Sequence, residues 1–173
     1  MRLFFCMSVL YLSLGSNLGD RRSALDAAVR AIGERVGDVE AVSGYLETEP
    51  WGFVSSHGFL NAAVRVRTSL DAWSVLERTQ EIERELGRRE KSVGGVYHDR
   101  AIDIDLLMMD DIEMDEWRVV GGREQRLTLP HPLMREREFV MRPLGEVEAP
   151  PSPPEMGGCV GGDGASIEAM ESI

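Results

Sequence analysis

Within residues 98–107, the stretch from Ile102 to Leu106 alternates apolar with acidic side chains, which is the pattern of a β-strand that is buried on one face. Because successive side chains of a strand point to opposite faces, Asp103 and Asp105 must share one face and their apolar neighbours the other. Two carboxylates so placed repel each other unless a cation or a proton lies between them, which suits the hard, oxygen-binding Mg²⁺ ion. Taken alone, an Asp-x-Asp pattern is more often that of an ordinary half-buried strand with a solvated acidic face, so other features must decide.

The composition is that of a soluble globular domain with room for one well-filled core. Of the 173 residues, 43% are hydrophobic and 28% are charged. The net charge of -11 argues against a nucleic-acid partner, because phosphate backbones are bound by clustered lysines and arginines. Cys6 and Cys159 have no metal-ligand spacing, and we interpret them as reduced thiols of a cytoplasmic protein.

The two ends of the chain differ in character. The opening apolar run is too short to cross a membrane and lacks the small-residue cleavage pattern of a signal peptide, so we predict a buried first strand and no membrane contact. Residues 150–173 are rich in proline, glycine and acids and contain no lysine or arginine. Such a segment buries too little apolar surface to fold, so we predict a domain over residues 1–149 and a disordered acidic tail over 150–173.

The periodicity of the apolar residues predicts an α/β (α+β) protein. The two long helices have apolar residues at helical spacing, so one face of each should pack on a sheet. Asp20 is the expected N-cap of the first helix. The predicted strands are 8–14, 39–48, 60–68, the Asp103/Asp105 strand and a strand pair around 121–122; the predicted helices are one from Asp20 to 33–37, one over 70–86 and a short one over 134–139.

Two loops are candidates for ligand binding. In the first, over residues 50–59, Trp51 and Phe59 offer flat surfaces for a planar ring, and the amide of Asn61 suits the edge of a heterocycle. Two structural roles stay equally open. The aromatic rings could simply cover the core, and Asn61 could form an ordinary hydrogen bond at the start of a strand. The second loop, over residues 88–99, combines a basic start with a glycine-rich centre, which fits either a phosphate-binding lid or a solvated connection.

Several motifs together resemble the 6-hydroxymethyl-7,8-dihydropterin pyrophosphokinase family. Each motif is weak alone, but their order and separations from about residue 9 to about residue 149 are specific. The motifs are LGSNLGD at 14–20, FLNAA at 59–63, Gln80 and Glu83 ahead of GR at 87–88, DRAIDIDLL at 99–107 and LPHP at 129–132. The family often has Trp-Gly-Pro-Arg where residues 97–100 read YHDR here.

The resemblance implies a ferredoxin-like sandwich, with a mostly antiparallel sheet and helices packed on it. It implies transfer of the terminal pyrophosphoryl unit of ATP to the hydroxymethyl group of the pterin, leaving AMP, in folate biosynthesis. ATP and the hydroxymethyl pterin are then the partners, with two Mg²⁺ ions as cofactor, and we expect a monomer.

Carried over residue by residue, the resemblance assigns the candidate site. Asp103 and Asp105 would bind Mg²⁺, and Arg88 and Arg100 would share in catalysis with them. The ATP-site positions are Gln80, Glu83, Arg88, Lys91, Tyr97, Arg100, Leu106, His131 and Arg137. The pterin-site positions are Thr48, Pro50, Trp51, Asn61 as the amide reader, Asp103 near the attacking hydroxyl, and Phe59 and Phe139 as stacking rings.

Two other functions stay open at the level of the residues. A different two-metal transferase, such as a nucleotidyltransferase, could be built on the same acidic strand, but it would need a third carboxylate and a groove for its acceptor. A ferredoxin-like module without catalytic activity could bind a small ligand for regulation. Formation of AMP from ATP with the pterin as acceptor separates all three.

Overall fold

The protein was analysed as a computed structural model, which describes residues 7–49, 57–87 and 99–148. Its elements, in chain order, are β1 (Ser8–Ser16), α1 (Arg21–Arg35), β2 (Asp38–Val42), β3 (Leu46–Thr48), β4 (Phe59–Thr68), α2 (Ala72–Glu85), β5 (Asp103–Met109), β6 (Met114–Val120), β7 (Arg123–Leu129), a 3-10 turn (Met134–Glu136) and α3 (Glu138–Val147). The predicted tail, and the predicted site residues Pro50, Trp51, Arg88, Lys91 and Tyr97, lie outside the described residues.

The main sheet is antiparallel, with β1 paired to β4 on one side and to β5 on the other. Its order is β2-β4-β1-β5, and β3 pairs with the same edge of β4 as β2 does. If β2 and β3 count as one interrupted strand, the chain follows the β-α-β-β-α-β order of a ferredoxin-like sandwich. The predicted mixed α/β fold is therefore confirmed, with β6 and β7 as a separate hairpin.

The prediction of one strand over residues 39–48 is wrong, because the edge is interrupted between β2 and β3. Ser43 pairs with the backbone of Ala63 and also accepts a hydrogen bond from Ala63 N through its Oγ at 2.9 Å. The N–H of Gly44 donates to a group outside the sheet, Oε2 of Glu146 on α3, at 2.7 Å. At Ser43 and Gly44, hydrogen bonds to side chains thus stand where the backbone ladder of a continuous strand would run.

The predicted short helix over residues 134–139 is also divided. A 3-10 turn ends at Glu136, Arg137 has an extended backbone (φ -110°, ψ 102°), and α3 then runs to Val147. The first helix begins as predicted, because Asp20 accepts a hydrogen bond from Ser23 N at 3.0 Å. Among the described helices, none has both the length and the apolar character that crossing a bilayer requires.

The two faces of β1 have different roles. Leu10, Leu12 and Leu14 are fully buried and pack with α1 and α2 in the main core, where each contributes about 1.5–3 kcal/mol by removal from water. The opposite face of the sheet is covered by α3 at one end. Toward the other end of that face, β1 presents only Ser13 and Gly15, which leaves room for a cleft.

Candidate active site

The cleft lies on the α3 side of the sheet, where β1, β4 and β5 run next to one another. Its empty volume, counted out to the mouth, is about 510 Å³. Its lining residues are Ser13, Gly15, Thr48, Glu49, Phe59, Asn61, Arg100, Asp103, Asp105, Arg137 and Phe139. All of these except Ser13, Gly15 and Glu49 were predicted as site residues, so the structure brings together positions that lie far apart in the sequence.

The acidic pair forms one wall of the cleft. Asp103 and Asp105 both line it, while Ile104 between them is 5% exposed and lies in the main core. The predicted sharing of one strand face is therefore confirmed. Arg100, which is 9% exposed, donates from Nη1 to Asp103 Oδ2 at 2.7 Å, and this ion pair places a fixed cation beside the carboxylates.

The pair is suited to a hard cation by the chemistry of its donors. Carboxylate oxygens are the protein ligands that Mg²⁺ prefers, and Mg²⁺ commonly keeps one or two carboxylates together with water and substrate phosphate. In the part of the chain that the structure describes, no group of three or more His, Cys, Asp or Glu residues is arranged to hold a metal. Asp103 and Asp105 therefore fit a metal that the substrate helps to bind, rather than a closed structural site.

Asn61 has a fixed orientation on the opposite wall. Its side chain is 3% exposed, and Nδ2 donates to Thr48 Oγ1 at 2.9 Å and to the carbonyl of Leu46 at 3.4 Å. A Cβ atom on Gly15 would lie 3.4 Å from Asn61 Oδ1 and 3.7 Å from the Phe59 ring. The missing side chain of Gly15 thus leaves space for Asn61 and Phe59. Asn61 Oδ1 faces Gly15, which itself lines the cleft.

Two aromatic rings reach the cleft from different elements. Phe59 is the first residue of β4, and Phe139 lies in the first turn of α3. The guanidinium carbon of Arg137 lies 5.8 Å from the centroid of the Phe139 ring, a cation–π contact. Since Arg137 is 7% exposed, the start of α3 holds both a cation and a flat apolar surface at the cleft wall.

His131 lies just beyond the lining residues. Its backbone N–H donates to the carbonyl of Leu107 at 2.8 Å, and its Nδ1 accepts from Leu133 N at 3.2 Å. Burial, and secondly the positive charge of Arg137, lower the pKa of His131 below its usual range. The imidazole is therefore neutral near pH 7 with its proton on Nε2, which leaves that N–H able to donate to a phosphate oxygen.

Besides His131, three described residues of the predicted ATP site do not line the cleft. Gln80 Nε2 donates to Gln125 Oε1 at 2.6 Å, and Leu106 is buried in the main core. Glu83 is 3% exposed and accepts from Ile104 N at 2.7 Å, so it satisfies a backbone N–H of the edge strand β5. Their roles in ATP binding stay predictions.

Ser13 and Gly15 were missed as cleft residues, although the sequence contains the signal. In β1, leucines alternate with small residues from Leu12 to Gly15, and the register places Ser13 opposite Asp105 and Gly15 opposite Asp103. A strand whose second face bears only small side chains leaves room above that face.

Comparison with known proteins decides the family. The model of the family described as 7,8-dihydro-6-hydroxymethylpterin-pyrophosphokinase (HPPK) matches residues 11–149. The chain belongs to this family. The resemblance inferred from the motifs is therefore confirmed, and the pyrophosphokinase match contains every residue that lines the cleft.

Individual pyrophosphokinases are similar over most of their length. A 2-amino-4-hydroxy-6-hydroxymethyldihydropteridine pyrophosphokinase from Porphyromonas gingivalis is 52% identical over 141 residues, which are 82% of this chain and 91% of the relative. The protein of that name from Bacillus subtilis is 38% identical over 141 residues, 81% of this chain and 78% of the relative.

Solved structures of HPPK-containing proteins share the fold. A Plasmodium falciparum HPPK-DHPS triple mutant with STZ-DHP has a TM-score of 0.66 at 15% identity, and an HPPK-DHPS in complex with substrates has a TM-score of 0.63 at 14% identity. Each match covers 82% of this chain but only 40% of the longer chain. Identity at this level shows the fold alone.

Proposed function

We infer that this chain is an ATP-dependent diphosphotransferase that transfers pyrophosphate from ATP to the hydroxymethyl group of 6-hydroxymethyl-7,8-dihydropterin in folate biosynthesis. Membership of the pyrophosphokinase family supports this reaction. The structural observation that carries it is a single cleft with Asp103 and Asp105 on one wall and Asn61, Phe59 and Phe139 on the others. A polyanion and a flat heterocycle can therefore meet in one place.

The reaction requires positioning and charge neutralisation rather than a protein nucleophile. The hydroxymethyl oxygen attacks the β-phosphorus of ATP, and the bond from that phosphorus to the oxygen bridging to the α-phosphorus breaks. AMP leaves with that oxygen, and the hydroxyl proton is released. Fixed groups that align the two substrates and offset the phosphate charge supply most of the rate in transfers of this type.

We propose that Asp103 and Asp105 hold two Mg²⁺ ions together with the ATP phosphates. When bound, Mg²⁺ supplies Lewis-acid chemistry and offsets negative charge on the phosphoryl oxygens. Arg100 orients Asp103 through the 2.7 Å ion pair and brings a further positive charge to the cleft. Arg137 and the Nε2–H of His131 are suited to phosphate oxygens on the same side.

We propose that the pterin is bound between the two aromatic rings and read by Asn61. Thr48 and the carbonyl of Leu46 already accept from the amide nitrogen, so Oδ1 is the atom suited to a ring N–H of the pterin. The absence of a side chain on Gly15 keeps this atom accessible from the cleft.

Phe139→Ala is expected to weaken pterin binding by about 1–3 kcal/mol, the size of a lost stacking contact, while the affinity for a non-reactive ATP analogue stays unchanged. Isothermal titration of each ligand separately measures both effects. Met141→Ala is the matched control, because Met141 lies on the same helix and is 37% exposed. An equal loss of both ligands in Phe139→Ala would instead indicate damage to the fold.

The activity test is a product analysis with ATP, Mg²⁺ and the hydroxymethyl dihydropterin. We expect equal amounts of AMP and pterin diphosphate. A nucleotidyltransferase would release pyrophosphate and attach the AMP moiety to its acceptor, and a module that only binds would leave ATP intact. Either result would overturn the proposed reaction.

We propose that residues 1–149 contain the whole activity, since the family match ends at residue 149. Truncation after Ala149 is expected to leave turnover and melting temperature nearly unchanged. Turnover assays and calorimetry of the chain with and without residues 150–173 test this. A melting temperature lowered by several degrees would show that the removed residues contribute to the folded domain.

We further propose that the protein acts as a monomer in the cytoplasm, without nucleic-acid or membrane partners. The net charge of -11 supports the absence of a nucleic-acid surface. The widely separated Cys6 and Cys159 support a reducing compartment. Sedimentation in the presence and absence of both substrates measures the oligomeric state.

A further inference from the structure

Asn17, which no motif-based assignment placed in the site, holds the backbone of Arg100 at two points. It lies in the turn after β1 and is 2% exposed. Its backbone N–H donates to the carbonyl of Arg100 at 3.1 Å, and its Oδ1 accepts from Arg100 N at 2.7 Å. One residue, through its backbone N–H and its side chain, therefore fixes the main chain from which the Arg100 guanidinium extends to Asp103.

The same amide connects two further segments. Asn17 Nδ2 donates to Asp99 Oδ1 at 2.6 Å and lies 3.4 Å from the carbonyl oxygen of His57. His57 Nδ1 in turn lies 3.3 Å from Asp99 Oδ2. Asn17, His57, Asp99 and Arg100, here called the Asn17 cluster, join the end of β1 to the residues that precede β4 and β5.

The position of the cluster relates it to both halves of the cleft. Residues 57–58 lead directly into Phe59 and Asn61, and residues 99–100 lead into Asp103. Arg21, a few residues after Asn17, adds a second anchor, because its Nη1 donates to the carbonyl of Gly58 at 2.7 Å. Asn17 in the turn after β1 and Arg21 at the start of α1 thus hold two segments in place: the one that leads into Phe59 and Asn61 and the one that leads into Asp103.

We propose that Asn17 is a positioning residue of the reaction. Through the backbone of Arg100 it aligns the guanidinium with Asp103, and through Asp99 and His57 it sets the start of β4 against the start of β5. Asn17 acts through these neighbours and is not itself a catalytic residue. This inference rests on the proposed pyrophosphoryl transfer.

Exchanging the side chains of Asn17 and Asp99 tests the proposal. In Asn17→Asp, the carboxylate can still accept from Arg100 N, but it faces the carboxylate of Asp99 where a donor stood at 2.6 Å, and like charges repel. Adding Asp99→Asn restores complementarity, because the amide at position 99 can donate to the carboxylate at position 17. The double exchange also restores the original local charge.

We expect Asn17→Asp to lower kcat by about 10-fold or more, since small misplacements of a reacting group cost up to 10²-fold, with both KM values changed by less than about 3-fold. The double exchange should recover kcat to within about 3-fold of the unmodified protein, because the two residues act as a coupled pair. The backbone amide resonance of Arg100 should shift in the single variant and return in the double exchange, which is a readout independent of turnover.

Asp71→Ala is the control for stability alone, because alanine has no side-chain oxygen with which to cap the helix. Asp71 caps α2 by accepting from Ser74 N at 2.9 Å and lies outside the Asn17 cluster, so its replacement should lower the melting temperature without changing kcat. If Asn17→Asp does not fold, Asp99→Ala removes the same contact at a residue whose side chain is 33% exposed and should lower kcat in the same direction.

The outcomes separate the two hypotheses. A normal kcat in Asn17→Asp or Asp99→Ala, or a double exchange no better than the single variant, overturns the positioning role while the pyrophosphokinase reaction stands. An unmodified protein that forms no AMP overturns the proposed reaction itself. In that case, failure of the Arg100 resonance to return in the double exchange would also reject the coupling within the Asn17 cluster.

Discussion

Asp105→Asn is expected to lower kcat on the order of 10²-fold or more and to raise the Mg²⁺ concentration that half-saturates the reaction. The substitution keeps the shape of the side chain and removes its charge. Asp105 lines the cleft, and the register of β1 and β5 places it opposite Ser13. Steady-state rates over a Mg²⁺ titration, with melting temperature in parallel, measure the effect.

Asp111→Asn is the matched control for this substitution. Asp111 is exposed in the turn after β5, so the same chemical change there should leave rate and Mg²⁺ dependence unaltered. Asp103→Asn should behave like Asp105→Asn. Normal turnover of both cleft variants at low Mg²⁺ would mean that the acidic face of β5 is only a solvated sheet face.

Arg100→Met is expected to lower kcat/KM by about 10²-fold, because it removes a fixed cation from the wall that faces the phosphates. The free energy of unfolding should also fall, by about 1–3 kcal/mol, since Asp103 loses a largely buried charged partner. Methionine keeps most of the apolar stem, so the loss reports the charge more than the packing. Kinetics together with urea unfolding separate the two effects.

Arg35→Met provides the control with the same change of side chain. Arg35 forms an ion pair with Glu85 through two hydrogen bonds of 2.8 and 2.6 Å, but both side chains are substantially exposed. Exposed pairs contribute little to stability, so activity and unfolding should change little. If Arg100→Met were as mild as this control, Arg100 would not neutralise charge in the reaction.

The parts of the fold that the sequence predicted follow from periodicity. Alternation in β5 was enough to place Asp103 and Asp105 on one face, and the side chain of Asp20 was enough to place the start of α1. Phe59 and Asn61 were candidates from their residue types, with a structural role equally open. Phe139 was assigned only through the resemblance, because nothing local indicates that a strand and the last helix share a cleft.

What the sequence could not predict depends on contacts between distant residues. At the break between β2 and β3, the N–H of Gly44 donates to the side chain of Glu146. The buried carboxylate of Glu83 accepts from the backbone N–H of Ile104 on the edge strand β5. Asn17 could be recognised as part of a motif, but its partners at Asp99 and Arg100 appear only when β1 and β5 pair. Periodicity contains no information about such partners.

The central position of β1 has a consequence for protein synthesis. This strand is made well before both of its partners, β4 and β5, since Gly15 pairs with Asn61 on one side and with Asp103 on the other. Pairing between such distant segments is slow and leaves apolar surface uncovered in the meantime. A nascent chain that stops before β5 would have Phe59 and Asn61 but neither the two carboxylates nor Phe139, so catalytic competence should arise only after β5 and α3 have both been made.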